Sequence, residues 1–176
     1  MIGMCIPKGV EHQILDFLDF KSNSNQNIKG IIISGAQILI TEQDIHPYLS
    51  QFNYLLTLNV PILGICFGHQ LMGLHFGSEG KKMAEDRVMN EITIELNNPL
   101  FKNLSKIILG QEDHCEWISL PQNFQRIGTS KTCENEAMMN EKKRLFGIQF
   151  HAEVSGRTGE IIFENFVNYC FSIDLK

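Results

Sequence analysis

Hydrophobic positions in this chain fall into short clusters whose period changes along the sequence, and the changes predict the elements. Val10, Ile14 and Leu18 recur at helical spacing, which predicts an amphipathic helix over residues 10–20. Residues 21–29 are polar, rich in Ser and Asn, and predict a loop. Ile31-Ile32-Ile33 is a continuous apolar run closed by Ser34-Gly35, as expected of a strand covered on both faces in a parallel sheet. A helix over residues 42–58, a strand over 60–65 and a helix over 67–76 follow, which is the β-α-β order of a sheet with crossover helices.

Beyond Gly80 the pattern shifts to alternation. Ile92, Ile94 and Leu96 share one face of a half-exposed strand running from Glu91 to Leu96. Further short strands are predicted near 106–109, 125–130, 135–140 and 145–150, with Asn140 to Arg144 as a charged hairpin turn. The chain closes on a helix from Gly159 to Phe171, with Ile162, Phe166 and Cys170 along one side and Thr158 as its cap. The sum is an α/β fold: an open, mostly parallel but mixed sheet with helices on both faces. No repeat or linker interrupts it, so residues 1–176 read as one domain.

Composition adds exclusions. With 176 residues, 43% of them hydrophobic, the chain can bury a full core without metal or disulfide help. A formal charge of -5 offers no basic face to nucleic acid. Cys5, Cys66, Cys115, Cys133 and Cys170 are odd in number, scattered and free of any C-x-x-C pair, which argues against a disulfide framework or zinc knuckle and for a reducing, cytoplasmic setting. No basic region with an apolar core opens the chain, and no apolar run approaches the roughly 18 residues of a membrane span, so neither export nor a membrane is expected.

The chemistry concentrates in two stretches. Gly64-Ile65-Cys66-Phe67-Gly68 follows the apolar run Val60 to Leu63 and reads as a nucleophile elbow, a strand-to-helix turn that presents Cys66 rather than burying it. The helix starting at Phe67 aims free N–H groups and the positive end of its dipole at the sulfur, which favours a thiolate. Phe150-His151-Ala152-Glu153 supplies a base and its orienter: on a continuing strand His151 and Glu153 share a face, so the carboxylate can reach the imidazole. Taken singly, the first could be an inert loop cysteine and the second a surface pair at a strand end; together they point to a thiol hydrolase. Asp113, His114 and Cys115 are adjacent, point to alternate faces and lack a second cluster, so no metal is expected. His12, His46 and His75 read as surface or packing residues, and Trp117 and the twelve phenylalanines as core or partner surface. No glycine-rich phosphate loop occurs, so the chain has no evident means of activating an acceptor with ATP.

On the stretches Pro61 to Gln70 and Phe146 to Val154, the chain resembles the class I (triad-type) glutamine amidotransferases. The resemblance covers roughly residues 28–171 and implies a flavodoxin-like fold in which Cys66, His151 and Glu153 form the triad that hydrolyses L-glutamine to glutamate and ammonia. It implies oxyanion donors at Phe67 and in the Gly35-Ala36 segment, and a glutamine-binding role for Gln70. Ser130 to Met138 and Glu160 to Phe166 are most similar to the glutaminase subunits of two-subunit GMP synthases. The implied partner is therefore the ATP-pyrophosphatase (synthetase) subunit of GMP synthase, which would hold ATP and Mg and aminate xanthosine monophosphate, this chain holding no cofactor. Other readings keep the triad and change the partner or substrate, as in the glutaminase subunit of an anthranilate or aminodeoxychorismate synthase or a glutamyl peptidase; a regulatory subunit of the same fold is a third. Three departures mark the chain. Ser34-Gly35-Ala36-Gln37 replaces the family's Ser-Gly-Gly-Pro, so Ala36 would be strained if a positive φ were needed there; Ala152 replaces a proline; Glu112 to Cys115 stands where a Ser-His-x-Asp segment shapes the glutamine pocket. Met1 to Gly9 also lacks the apolar first strand of the family.

Overall fold

The apolar runs that pair with one another build a single mixed sheet in the computed structural model, which describes residues 2–21 and 27–173. Strands β1 (Ile31–Ile33), β2 (Ile62–Ile65), β4 (Met89–Ile94), β5 (Ile107–Gln111), β7 (Gln125–Thr129), β8 (Ala137–Asn140) and β9 (Leu145–Ile148) lie in the order β1-β2-β9-β8-β7-β4-β5. The parallel part is β1, β2 and β9, in register Ile33 to Gly64 and Gly64 to Gly147; antiparallel pairs complete the rest. Helices α1 (Ile2–Cys5), α2 (His46–Leu56), α3 (Phe67–His75) and α4 (Gly156–Ser172) cover it, and β3 (Gly80–Asp86) pairs with β6 (His114–Ile118) as a separate antiparallel ribbon.

Alternation along the buried strands divides the core in two. Ile62 and Leu145 face Phe52 and Leu55 of α2 and Leu71 and Met72 of α3, while Leu63, Ile65, Phe146 and Ile148 face Ile162, Phe163 and Phe166 of α4 on the other side. A fully apolar strand is what a sheet covered on both faces requires, since each side chain alternately enters one core or the other.

Several expectations are corrected. Residues 10–20 form no helix. Ile14 and Leu18 are exposed, and the segment instead docks Phe17 on Tyr48 and Phe20 on Tyr54, with ring centroids 6.1 and 6.4 Å apart, while Gln51 Nε2 donates to Phe20 O. A helix of that length is marginal unless its apolar face is buried, and here Phe17 and Phe20 find partners while Ile14 and Leu18 do not. Of the predicted loop at 21–29, residues 22–26 lie outside the described residues. The last helix begins earlier than predicted, at Gly156 with Ser155 in the cap position, so Thr158 lies inside it. Pro47 stands in the first turn of α2, a position that needs no donor. The β3–β6 ribbon was not predicted; its β6 strand turns His114 and Glu116 inward, against the usual sense of the alternation.

Candidate active site

At the end of β2 the backbone breaks sharply: Cys66 has φ 49° and ψ -104°, outside the ordinary regions for a residue with a Cβ, and caps α3. The turn is so tight that a Cβ on Gly64 would lie 2.5 Å from the carbonyl of Gly68, and one on Gly68 would lie 2.4 Å from Ile33 O. Both positions therefore demand glycine, which is the physical content of the motif. Cys66 N donates to Ile148 O at 2.9 Å, tying the elbow to β9, and Gln70 N closes the first turn on Cys66 O. The unpaired amides of that turn and the positive end of the helix dipole surround the thiol.

Cys66 is buried, 7% exposed, against the expectation that it would be presented. Its neighbours close over it. Gly35, just after β1, is so near that a Cβ there would stand 2.8 Å from His151 Cε1 and 3.4 Å from Cys66 Cβ, and Gln149 Nε2 lies 3.6 Å from Cys66 Sγ.

His151 and Glu153 also meet by a route other than the one expected. β9 ends at Ile148, and Ala152–Val154 form a single 3-10 turn, so the pair is joined by the turn and not by strand alternation. His151 Nδ1 lies 2.8 Å from Glu153 Oε1, which leaves Nε2 as the ring nitrogen for the sulfur. Pairing with Cys66 first, and with Glu153 second, pushes the imidazole up to about 10 against the opposing pull of burial. The His151 backbone is fixed by a closed ring of hydrogen bonds: His151 N donates to Gln111 O (2.8 Å), Gln111 N to Ser155 Oγ (2.9 Å), and Ser155 Oγ to His151 O (2.7 Å). That is why Ser155 makes no side-chain cap to α4. Cys5 of α1 packs behind this turn, its Sγ 3.6 Å from Glu153 O.

The fold thus brings Cys66, His151, Glu153 and Gly35 together, with Phe67 as the first residue of α3 and its ring edge-on to Tyr48 at 5.3 Å. Ala36 is exposed and does not take a positive φ, so the strain anticipated there is absent. Gln70 is buried and its Nε2 donates to Glu116 O (2.9 Å) and Gln149 Oε1 (3.2 Å). Asp113 points away, exposed and 3.3 Å from Arg87 Nε, whereas His114 turns inward with Nε2 3.1 Å from Glu112 Oε2. Among the described residues no group of three or more His, Cys, Asp or Glu could hold a metal ion.

Residues without an assigned role in the sequence also shape the site. Glu116 is a buried carboxylate on which the loop after β1 hangs, accepting from Ile40 N at 2.6 Å, from Thr41 N at 3.1 Å and from the Thr41 hydroxyl. Gln111, Gln149 and Ser155 belong with it. No spacing marks them, because each acts through a partner remote in the chain. Chemically, a thiol at a helix N-terminus, an imidazole within reach and a carboxylate orienting that imidazole can attack a carbonyl carbon and protonate a leaving amine.

The family model for class-I glutamine amidotransferases matches residues 8–169. The chain belongs to that family. A glutamine-hydrolyzing GMP synthase subunit of Methanocaldococcus jannaschii is 35% identical over 150 residues, covering 84% of this chain and 77% of that protein. The protein of the same name from Pyrococcus abyssi is 35% identical over 166 residues, covering 92% of this chain and 87% of that one. Among solved structures, a Thermoplasma acidophilum protein provisionally described as a subunit of GMP synthase superposes with a TM-score of 0.76 at 30% identity, covering 83% of this chain and 74% of that chain. The seven-stranded mixed sheet with its flanking helices is thus that of a class I glutamine amidotransferase.

Proposed function

We propose that this amidotransferase chain hydrolyses L-glutamine and delivers the ammonia to a separate ATP-using synthetase subunit that aminates xanthosine monophosphate to GMP. The observation that carries the chemistry is the joint placement of Cys66 at the N-terminus of α3 and of His151, oriented by Glu153, beside it. Sγ of Cys66 attacks the side-chain amide carbon of glutamine, and main-chain amides of Phe67 and the Gly35-Ala36 segment receive the oxyanion. His151 protonates the departing nitrogen as the C–N bond breaks, and water then cleaves the thioester to release glutamate and the free thiol. Gly35 stands at the contact point of nucleophile and base, where any side chain would intrude.

Support for the acceptor comes from the relatives, which are named as one subunit of a glutamine-hydrolyzing GMP synthase. Ammonia in water is mostly protonated and poorly nucleophilic, so the synthetase subunit docks over the Cys66 mouth and holds the ATP and Mg that this chain does not bind. The cytoplasm is the setting of that complex; no described helix is long and apolar enough to cross a membrane.

The test is reconstitution. Mixed with the ATP-pyrophosphatase subunit of a two-subunit GMP synthase, the chain should support glutamine-dependent GMP formation, and Cys66→Ala should abolish that activity while ammonia-dependent synthesis by the partner persists. Stimulation of glutamine hydrolysis by an anthranilate-type synthase component instead would replace the acceptor. Failure of a glutamine-like electrophile to label Cys66, with or without partner, would remove the glutaminase itself.

A further inference from the structure

The sulfur of Cys66 has a second side-chain neighbour besides His151. Gln149 Nε2 lies 3.6 Å from Sγ, within hydrogen-bond reach of an atom as large as sulfur, and Gln149 is fully buried. A chain of donors fixes which end of its carboxamide faces the thiol. Glu116 O accepts from Gln70 Nε2 (2.9 Å), Gln70 Nε2 also donates to Gln149 Oε1 (3.2 Å), and this leaves the Gln149 N–H groups turned to the sulfur. The main chain is equally held, since Gln149 N donates to Glu136 O at 2.8 Å. A buried amide with no solvent must direct its N–H to a partner, and the partner here is the atom that reacts.

We propose that Gln149 is a donor to the nucleophile: its carboxamide, aimed by Gln70, stabilises the Cys66 thiolate and fixes the direction of Sγ before substrate arrives. Donation to an anion is stronger than to the neutral thiol, so the contact favours the charged form. It also gives Gln70 a task within the protein, as the residue that orients Gln149. The inference rests on Cys66 being the nucleophile of the proposed glutaminase.

The experiment follows iodoacetamide modification of Cys66, read by peptide mass spectrometry from about pH 5 to about pH 9, in the full chain and in variants of similar size. Gln149→Met removes the donor and should move the inflection of the rate profile upward by about one pH unit. Gln149→Glu, which sets a carboxylate beside the sulfur, should move it further. Gln70→Met, which frees Gln149 to turn, should move it in the same direction by less, and it carries the test if the Gln149 variants do not fold by circular dichroism. A Gln149→Met profile superimposable on that of the parent, or lowered equally at every pH, overturns the proposal. Alkylation does not require glutamine turnover. A shifted profile in a protein that never hydrolyses glutamine would therefore sink the functional reading and leave this inference standing.

Discussion

Gly35→Ala separates the site from the scaffold. A methyl at this position would stand 2.8 Å from His151 Cε1, whereas ordinary contact begins near 3.4 Å, so the ring must retreat by about 0.6 Å. The imidazole can give way, because it is a side chain at the rim of the site, 18% exposed. Retreat pulls it from the line between Cys66 and Glu153, where its Nδ1 now sits 2.8 Å from Glu153 Oε1. A displacement of about 1 Å costs on the order of a hundredfold in rate, so 0.6 Å predicts a loss of roughly ten- to twentyfold in glutamine hydrolysis. Stability should change by less than about 1 kcal/mol, since Gly35 uses a φ that alanine also adopts. Gly64→Ala is the contrast: its methyl meets backbone at 2.5 Å, which cannot yield, and that variant should not fold. Glutaminase rate and urea midpoint, measured on both, decide the matter. A Gly35→Ala protein with the parental rate, or one as unstable as Gly64→Ala, would refute the reasoning.

The remaining predictions concern the elbow, the last helix and the buried acids. Because Cys66 has φ 49° and ψ -104°, Cys66→Gly should be more stable than Cys66→Ala by about 1 kcal/mol, the reverse of the usual order, as read from chemical denaturation. Ser155→Ala, which cuts the ring that holds His151, should cost about 1–3 kcal/mol and slow hydrolysis, while Thr158→Ala should stay within about 0.5 kcal/mol; thermal melts and rates test both. Glu136 is fully buried, and burial with the nearby Glu112 and Asp86 carboxylates raises it from 4.5 to about 8. Across that window the folded chain keeps a proton on Glu136 that the unfolded chain releases, so the contribution of this residue to stability should fall as pH rises from about 4.5 to about 8. Glu136→Gln should fall less steeply over that window and be the more stable protein at pH 8, a comparison of urea midpoints at two pH values.

How much of this could be read from the chain depends on whether the signal was local. Ile62–Ile65, buried throughout, and Ile31–Ile33, packed against a core on each face, declare themselves because strands covered on both faces need no polar residue, and Gly64 and Gly68 flank Cys66 because the elbow tolerates no Cβ. The ribbon strand β6 hides because His114 and Glu116 point inward, where Glu116 serves the backbone of Ile40 and Thr41. Periodicity at 10–20 misleads because the segment makes its contacts through Phe17 and Phe20 and leaves Ile14 and Leu18 exposed. Ser155 is lost to a cap rule that favours the nearest hydroxyl before Gly159, while its oxygen is committed to Gln111 and His151. The juxtaposition of Cys66 and His151 could be anticipated from their complementary chemistry and from likeness to a family, but no spacing signals it, since they are remote in sequence and meet through the pairing of β2 with β9.

The place of β9 between β2 and β8 has a consequence for how the molecule comes into being. Without residues 145–148 the strand order would fall into two parts, β1-β2, which ends at the sulfur, and β8-β7-β4-β5. The imidazole follows that strand by three residues, so the strand that joins the two parts also carries the base to the sulfur. A chain cut short before this strand would keep the thiol at the N-terminus of α3 and lack the imidazole that serves it. Proton transfer to a leaving amine thus depends on the last strand of the sheet.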